Sequence, residues 1–266
     1  MMTTPELAGQ VAIVTGGTKG IGAAITRRLL AAGAEVVICG RTAPAQPIRT
    51  ADAGDLPDRE AVFIAADVRD PEQGAALVAA TVQRFGRLDL LVNNAGGAPN
   101  ADSATVSPRF IAKIVELNLL APFYVAQQAN AVMQQQESGG LIINIGSVAG
   151  RDPAPDTAAY AAAKAGLTML TKALGMDFGP KVRVNQVTVG LVRTDLSHLY
   201  YGDEAGQDRV AKTIPLQRMA TPNDIADACL LLAGPLAGYV TGTDLLVDGG
   251  GEIPARHLAV TPPSTP

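Results

Sequence analysis

Short runs of apolar residues alternate along this chain with longer segments whose apolar positions recur at helical spacing. The runs Val11–Thr15, Glu35–Cys39, Val62–Ala65, Leu88–Val92, Leu141–Ile145, Val182–Val187 and Asp244–Val247 are rich in Val, Ile and Leu. They lack the in-out alternation of a half-exposed strand, so each is predicted to be buried on both faces. Between them, Ile21–Ala32, Pro71–Phe85, Pro108–Gln134, Thr157–Phe178, Ala205–Thr213 and Asn223–Leu232 read as helices. Strands alternating with helices predict right-handed βαβ units. The expected fold class is α/β, a doubly wound parallel sheet of about seven strands with helices on both faces. No linker or internal repeat divides it, so a single domain over 1–266 is expected.

Three stretches break the alternation. Thr42–Arg59 holds Pro44, Pro47 and Pro57 and reads as a loop. Leu191–Ala205 mixes polar and aromatic residues, among them His198, Tyr200 and Tyr201. Thr261–Pro266 is proline-rich and reads as the end of a flexible tail over 255–266.

Composition narrows the choice of partners. Apolar residues make up 47% and charged residues 17%, enough for a sizeable core. With 21 basic and 25 acidic residues the net charge is -4, and no basic run offers a phosphate-binding surface, so nucleic acid is not an expected partner. No basic residue precedes Lys19, the first apolar run is only Val11–Val14, and no run approaches the roughly 20 apolar residues of a membrane span. Cys39 and Cys229 have no metal-ligand spacing and read as reduced, buried thiols. The expectation is a cytoplasmic protein with no membrane partner and no metal.

The first strand runs into Thr15-Gly16-Gly17-Thr18-Lys19-Gly20-Ile21-Gly22, and a helix follows. Glycines let backbone approach a ligand closely, and the helix N-terminus behind them offers free N–H groups to a pyrophosphate. The spacing is Gly-x-x-x-Gly-x-Gly rather than the commoner Gly-x-Gly-x-x-Gly. Further on, Tyr160 and Lys164 stand four apart on a helix, so their Cβ atoms lie roughly 5–6 Å apart. A neighbouring ammonium favours the phenolate, which turns a weak base into a usable one.

In this order of motifs the chain resembles the short-chain dehydrogenase/reductase family, from about Leu7 to Gly251. Thr-Gly-x-x-x-Gly-x-Gly, Asn93-Asn94-Ala95-Gly96, Asn118, Ser147, Tyr160-x-x-x-Lys164, Gly190 with Thr194, and Val247-Asp248-Gly249-Gly250 follow one another at that family's separations. The resemblance implies a Rossmann-like sheet and hydride transfer between a nicotinamide and a carbonyl or alcohol. It implies that Ser147 polarises the substrate oxygen and that Tyr160 gives or takes the proton. Lys164 would lower the Tyr160 pKa and hold the nicotinamide ribose. Asn118 would kink its helix and bind a water linking Lys164 to solvent. Thr15, Gly16, Thr18, Lys19, Gly20, Ile21 and Gly22 would form the phosphate turn, and Asp67 with Val68 would meet the adenine. Asn94, Ala95 and Gly96 would wall the adenosine ribose. Gly190, Val192 and Thr194 would flank the nicotinamide and pyrophosphate. Val189 stands where the family usually has proline, which leaves the start of that loop open.

Alignment by the end of the second strand puts Gly40 where an acid would accept bonds from the ribose of NAD and repel a 2′-phosphate. Arg41, Thr42 and Lys19 are placed to grip that phosphate, so NADP(H) is the expected cofactor. The substrate is expected to be a small, mainly apolar carbonyl or alcohol, of the 3-ketoacyl thioester, steroid, cyclic ketone or xenobiotic type. Its pocket would form from Gly97–Asn100, Val148–Asp152 and Leu191–Tyr201. The family commonly pairs the helices matching Pro108–Gln134 and Thr157–Phe178 across a two-fold axis, which implies a homotetramer. Two competing readings are a non-catalytic dinucleotide-binding redox sensor and an epimerase or dehydratase of the family's extended branch.

Overall fold

A computed structural model describes residues 6–50, 58–254, 257 and 259. The seven apolar runs form one parallel sheet in the order β3-β2-β1-β4-β5-β6-β7. The strands are β1 Val11–Thr15, β2 Glu35–Gly40, β3 Val62–Ala65, β4 Leu90–Asn93, β5 Gly140–Ile145, β6 Val182–Val189 and β7 Asp244–Val247. The chain reverses direction across the sheet between β1 and β4, whose register pairs Ile13 with Leu91. Ligands bind above the carboxyl ends of strands at such a switch point.

Each face of the sheet carries its own core. On one, Val14, Val36, Ile143 and Val187 pack against Ile25 and Leu29 of α1 (Gly20–Ala31) and Ile225 and Cys229 of a later helix, Pro222–Ala233. On the other, Ile13, Leu91 and Ile142 meet Leu77 of α2 (Pro71–Phe85) together with Val125, Ala129 and Leu174. The apolar runs are therefore continuous because both faces are covered. A buried polar chain also crosses the sheet: Asn93 Nδ2 donates to Asn144 Oδ1 at 2.9 Å, and Asn144 Nδ2 to Thr171 Oγ1 at 2.9 Å.

Three expectations need correction. The single helix expected over Pro108–Gln134 is α3 (Pro108–Val115), a π-helical turn at Glu116–Leu120, and α4 (Ala121–Met133). Together they make a 26-residue rod that, by length and composition, could cross a membrane, although no run of the sequence alone reads so; a third of its apolar window is buried in the fold. Strand β6 runs two residues beyond the expected Val187: Val189 pairs with Val247, and the Gly190 N–H donates to Val247 O at 3.0 Å. Within the expected loop at 191–205, Ser197 is buried and holds a short helix, α6 (His198–Tyr201), through bonds to Val192 O and Thr194 N. The remaining helices are α5 (Ala158–Asp177), α7 (Glu204–Ala211) and α8 (Pro222–Ala233). The expected tail at 261–266 lies outside the described residues.

Candidate active site

The glycine turn is built by close approach. Gly16 and Gly20 adopt φ of 64° and 53°, a region that disfavours other residues. A Cβ on Gly22 would overlap the Gly16 carbonyl oxygen and lie 2.5 Å from Asn94 Nδ2. Helix α1 starts with no side-chain cap and no acid in its first turn, and nothing lies within 4 Å of where a Gly20 Cβ would be. Free N–H groups facing open space fit a pyrophosphate.

Several expected cofactor residues are engaged within the fold. Thr15 is buried; its Oγ1 accepts from the Asn94 and Ala95 N–H groups, each at 3.0 Å. Asn94 spends its amide on the Thr15 and Gly16 carbonyls. Both side chains therefore tie the turn to the end of β4 instead of facing a ligand, and contact there falls to backbone. Gly190 is a packing glycine, since a Cβ would sit 2.7 Å from Asp248 Cα. Val192 is buried and bridges to Ala220, while the Thr194 N–H donates to Ser197 Oγ at 2.7 Å. Val68 is also buried, among the core residues on the α2 side of the sheet.

At the adenosine end, Thr18 lies beside Gly40: a Cβ there would stand 3.5 Å from Thr18 Cγ2, ordinary contact distance. Lys19, Arg41 and Thr42 are exposed. Arg41 is close enough to Asp67 to help hold its carboxyl below the usual range, although the main cause is Arg69. Arg69 caps the Asp67 carboxylate with its guanidinium, and Asp67 N–H donates to Gln73 Oε1 at 2.9 Å. The sequence reading missed Arg69; its signal was an arginine two residues past the strand-end acid.

The catalytic cluster sits at the carboxyl end of β5. Ser147 lies two residues past the end of β5 and accepts from Ala149 N at 3.2 Å. Tyr160 and Lys164 share a face of α5, with Lys164 Nζ 5.8 Å from the Tyr160 ring centre. Lys164 is buried, and its Nζ donates to Ile145 O at 2.8 Å; burial pulls its pKa from 10.5 to about 8. The Tyr160 hydroxyl does not follow the expected direction. Burial pushes it above its usual 10.0, the Ser147 hydroxyl pulls it down, and Tyr200 raises it again. The ammonium lies under the ring and bonds a carbonyl, and burial dominates the Tyr160 shift.

The helix distortion expected at Asn118 is present as the π-helical turn. Its side chain is committed: Oδ1 accepts from Gly97 N at 2.8 Å, and Nδ2 donates to Gly97 O at 3.0 Å and Ile114 O at 2.9 Å. Both amide hydrogens are used, so a water here would be held by a main-chain carbonyl or the second lone pair of Oδ1. A Cβ on Gly96 would fall 2.9 Å from Asn118 Oδ1 and 3.3 Å from Lys164 Nζ, which shows how closely the three elements converge. Among the described residues no three His, Cys, Asp or Glu side chains are grouped to hold a metal.

Residues 16–252 match the sequence profile of the family described as enoyl-(acyl carrier protein) reductase. The chain is 37% identical over 245 residues to a 3α-hydroxysteroid dehydrogenase of Mediterraneibacter gnavus, covering 91% of this chain and 97% of that one. It is 38% identical over 252 residues to trans-4-hydroxycyclohexanecarboxylate dehydrogenase of Sinomonas cyclohexanicum, covering 92% and 93%. A solved double mutant of the Serratia marcescens short-chain dehydrogenase/reductase superposes with a TM-score of 0.79 at 33% identity, over 92% of this chain and 98% of that one.

Proposed function

The chain belongs to the short-chain dehydrogenase/reductase family, whose members bind a nicotinamide dinucleotide, and from that premise we propose that it is an NADP(H)-dependent enzyme interconverting a carbonyl and a secondary alcohol on a mainly apolar small molecule. The observation that carries this reading is the convergence of Ser147, Tyr160, Lys164 and the Asn118–Gly97 bonds at the carboxyl end of β5. A non-catalytic redox sensor would need the glycine turn but not this cluster.

When bound, the cofactor supplies or accepts the hydride. Ser147 fixes the substrate oxygen. Tyr160 carries the proton to or from that oxygen, and its raised pKa keeps it protonated at neutral pH, ready to act as an acid in reduction. Lys164 holds the ribose side of the site and answers electrostatically when the phenolate forms. Asn118 is a positioning residue that fixes Gly97 and the bend of the α3–α4 rod. Tyr160→Phe keeps the ring and removes the proton, so kcat should fall by at least about 10²-fold with little change in NADPH affinity. Near-normal turnover of a ketone by this variant would remove Tyr160 from the chemistry.

Gly40 in place of an acid, with Arg41 and Lys19 beside it, supports NADPH over NADH. Relatives named for a steroid and for a hydroxycyclohexane acid support a secondary alcohol on a saturated ring. The buried, unpaired thiols of Cys39 and Cys229 agree with a cytoplasmic protein. Apolar side chains left exposed on α5 and along β7 support a homotetramer.

A further inference from the structure

A cavity of about 130 Å³ lies against Tyr160; of the three segments expected to form the substrate pocket, only Gly97–Asn100 lines it, through Ala98 and Pro99. Its wall is mainly apolar, with Val106 just before α3, Phe110, Ile111 and Ile114 of α3, and Ala159 and Tyr160 of α5, while Ser103, Asp156 and Thr157 add polar edges. The backbone explains why the space is there. Asp156 takes a left-handed φ of 62°, and its carbonyl accepts from Ala101 N at 3.0 Å. That bond straps the loop before α5 to the loop after β4. Ser107 Oγ accepts from Phe110 N at 3.2 Å and fixes where α3 begins. With both entrances fixed, the small Ala159 faces larger apolar residues and the gap stays open. The Tyr200 hydroxyl of α6 donates to Ala98 O at 3.3 Å, which ties the outer loop to one of the residues lining the cavity.

An apolar cavity of about 150 Å³ is known to take a single benzene ring. We propose that this cavity binds one ring-sized apolar arm of the substrate, next to the reacting carbonyl carbon, and that Tyr160 is the wall it shares with the chemistry. The proposal rests on the oxidoreductase reading above and adds a size limit to it. Each carbon buried here should raise kcat/KM about fourfold until the space is full. An arm larger than one ring should lose that gain.

The test uses the full chain with NADPH and four methyl ketones: acetone, 2-pentanone, cyclohexyl methyl ketone and adamantyl methyl ketone. The expected kcat/KM rises at least tenfold from acetone to the cyclohexyl ketone, on the order set by burying several carbons, and falls again for the adamantyl ketone. Val106→Phe should move the optimum to the shorter arm, and Val106→Ala should move it towards the larger one. Methylcyclohexane, which has no carbonyl, should compete with acetone in the unmodified protein, a readout that needs no variant. Turnover of all four ketones at similar kcat/KM, with no competition by methylcyclohexane, overturns the cavity assignment and leaves the oxidoreductase reading intact. No NADPH oxidation with any ketone overturns both.

Discussion

Lys164 shows how one residue ties catalysis to stability. Its Nζ is buried and bonded to a single carbonyl, and burial lowers its pKa from 10.5 to about 8. The unfolded chain therefore binds this proton more tightly than the folded one, so folding should strengthen as pH rises through that window. Relative to Lys164→Met, the unmodified protein should gain about 3 kcal/mol of unfolding free energy between the two pKa values. Urea unfolding of both proteins at pH 8 and pH 10.5 checks this; parallel changes would refute it. Tyr160 is displaced the other way, above 10.0. Reduction should stay level across neutral pH, whereas oxidation, which needs the phenolate, should climb as pH rises. An oxidation rate that falls with pH would contradict this. The i to i+4 spacing of Tyr160 and Lys164 was enough to place both on one face of α5. It could not reveal the sign of the Tyr160 shift, because burial, the Ser147 hydroxyl and Tyr200 act on it from elements the spacing does not place.

At the scale of elements, the β1–α1 turn and the end of β2 form one device. Gly22 and Gly40 are both glycines near it, but for different reasons. Gly22→Ala would drive a Cβ into the Gly16 carbonyl and Asn94, whereas Gly40→Ala meets Thr18 only at 3.5 Å. Gly22→Ala should cost about 1–3 kcal/mol in stability and weaken NADPH binding, while Gly40→Ala leaves stability within about 0.5 kcal/mol. Equal midpoints in urea would show that the packing is not as tight as it looks. The same geometry makes cofactor choice testable. NADPH should exceed NADH by at least about tenfold in kcat/KM, since a charged hydrogen bond contributes about 1.5–3 kcal/mol. Arg41→Ala should weaken NADPH and spare NADH, and adding Gly40→Asp should reverse the preference. Equal efficiencies in the unmodified protein would defeat the assignment. The strands and most helices were legible because burial on two faces writes a continuous apolar run. The bend at Asn118 was expected only through the family resemblance, and its π-helical form was not legible, because Asn118 looks like any polar residue in a helix until its bonds to Gly97 and Ile114 are seen. Nor were the internal roles of Thr15, Asn94 and Gly190, since a motif records which residues recur and not which way each side chain points.

For the whole molecule, exposed apolar side chains lie beside the site, at Leu196, Leu199, Tyr200 and Leu216, and in two further places. On α5, Met169 and Met176 are 64% and 84% exposed. At the β7 edge and the adjoining α8, Leu231, Leu236, Tyr239 and Leu246 are exposed, with Leu236 at 94%. Among the described residues β7 ends the sheet, with no strand beside its outer backbone groups. Apolar patches rimmed by polar residues mark association sites. Two patches on different faces, each pairing with its own copy about a two-fold axis, generate a closed tetramer with two kinds of isologous interface. The α5 patch coincides with the helix pair that the sequence resemblance assigned to assembly; the β7 patch was not foreseen, because its residues come from α8, the turn after it and the edge strand. Light scattering should therefore give four times the 27.3 kDa chain mass. Leu236→Glu places a charge in one interface only and should leave a dimer joined through α5. Combining it with Met176→Glu should give the monomer. A monomer mass for the unmodified protein would show that neither patch mediates self-association, and a tetramer that survives both substitutions would show that the contacts lie elsewhere.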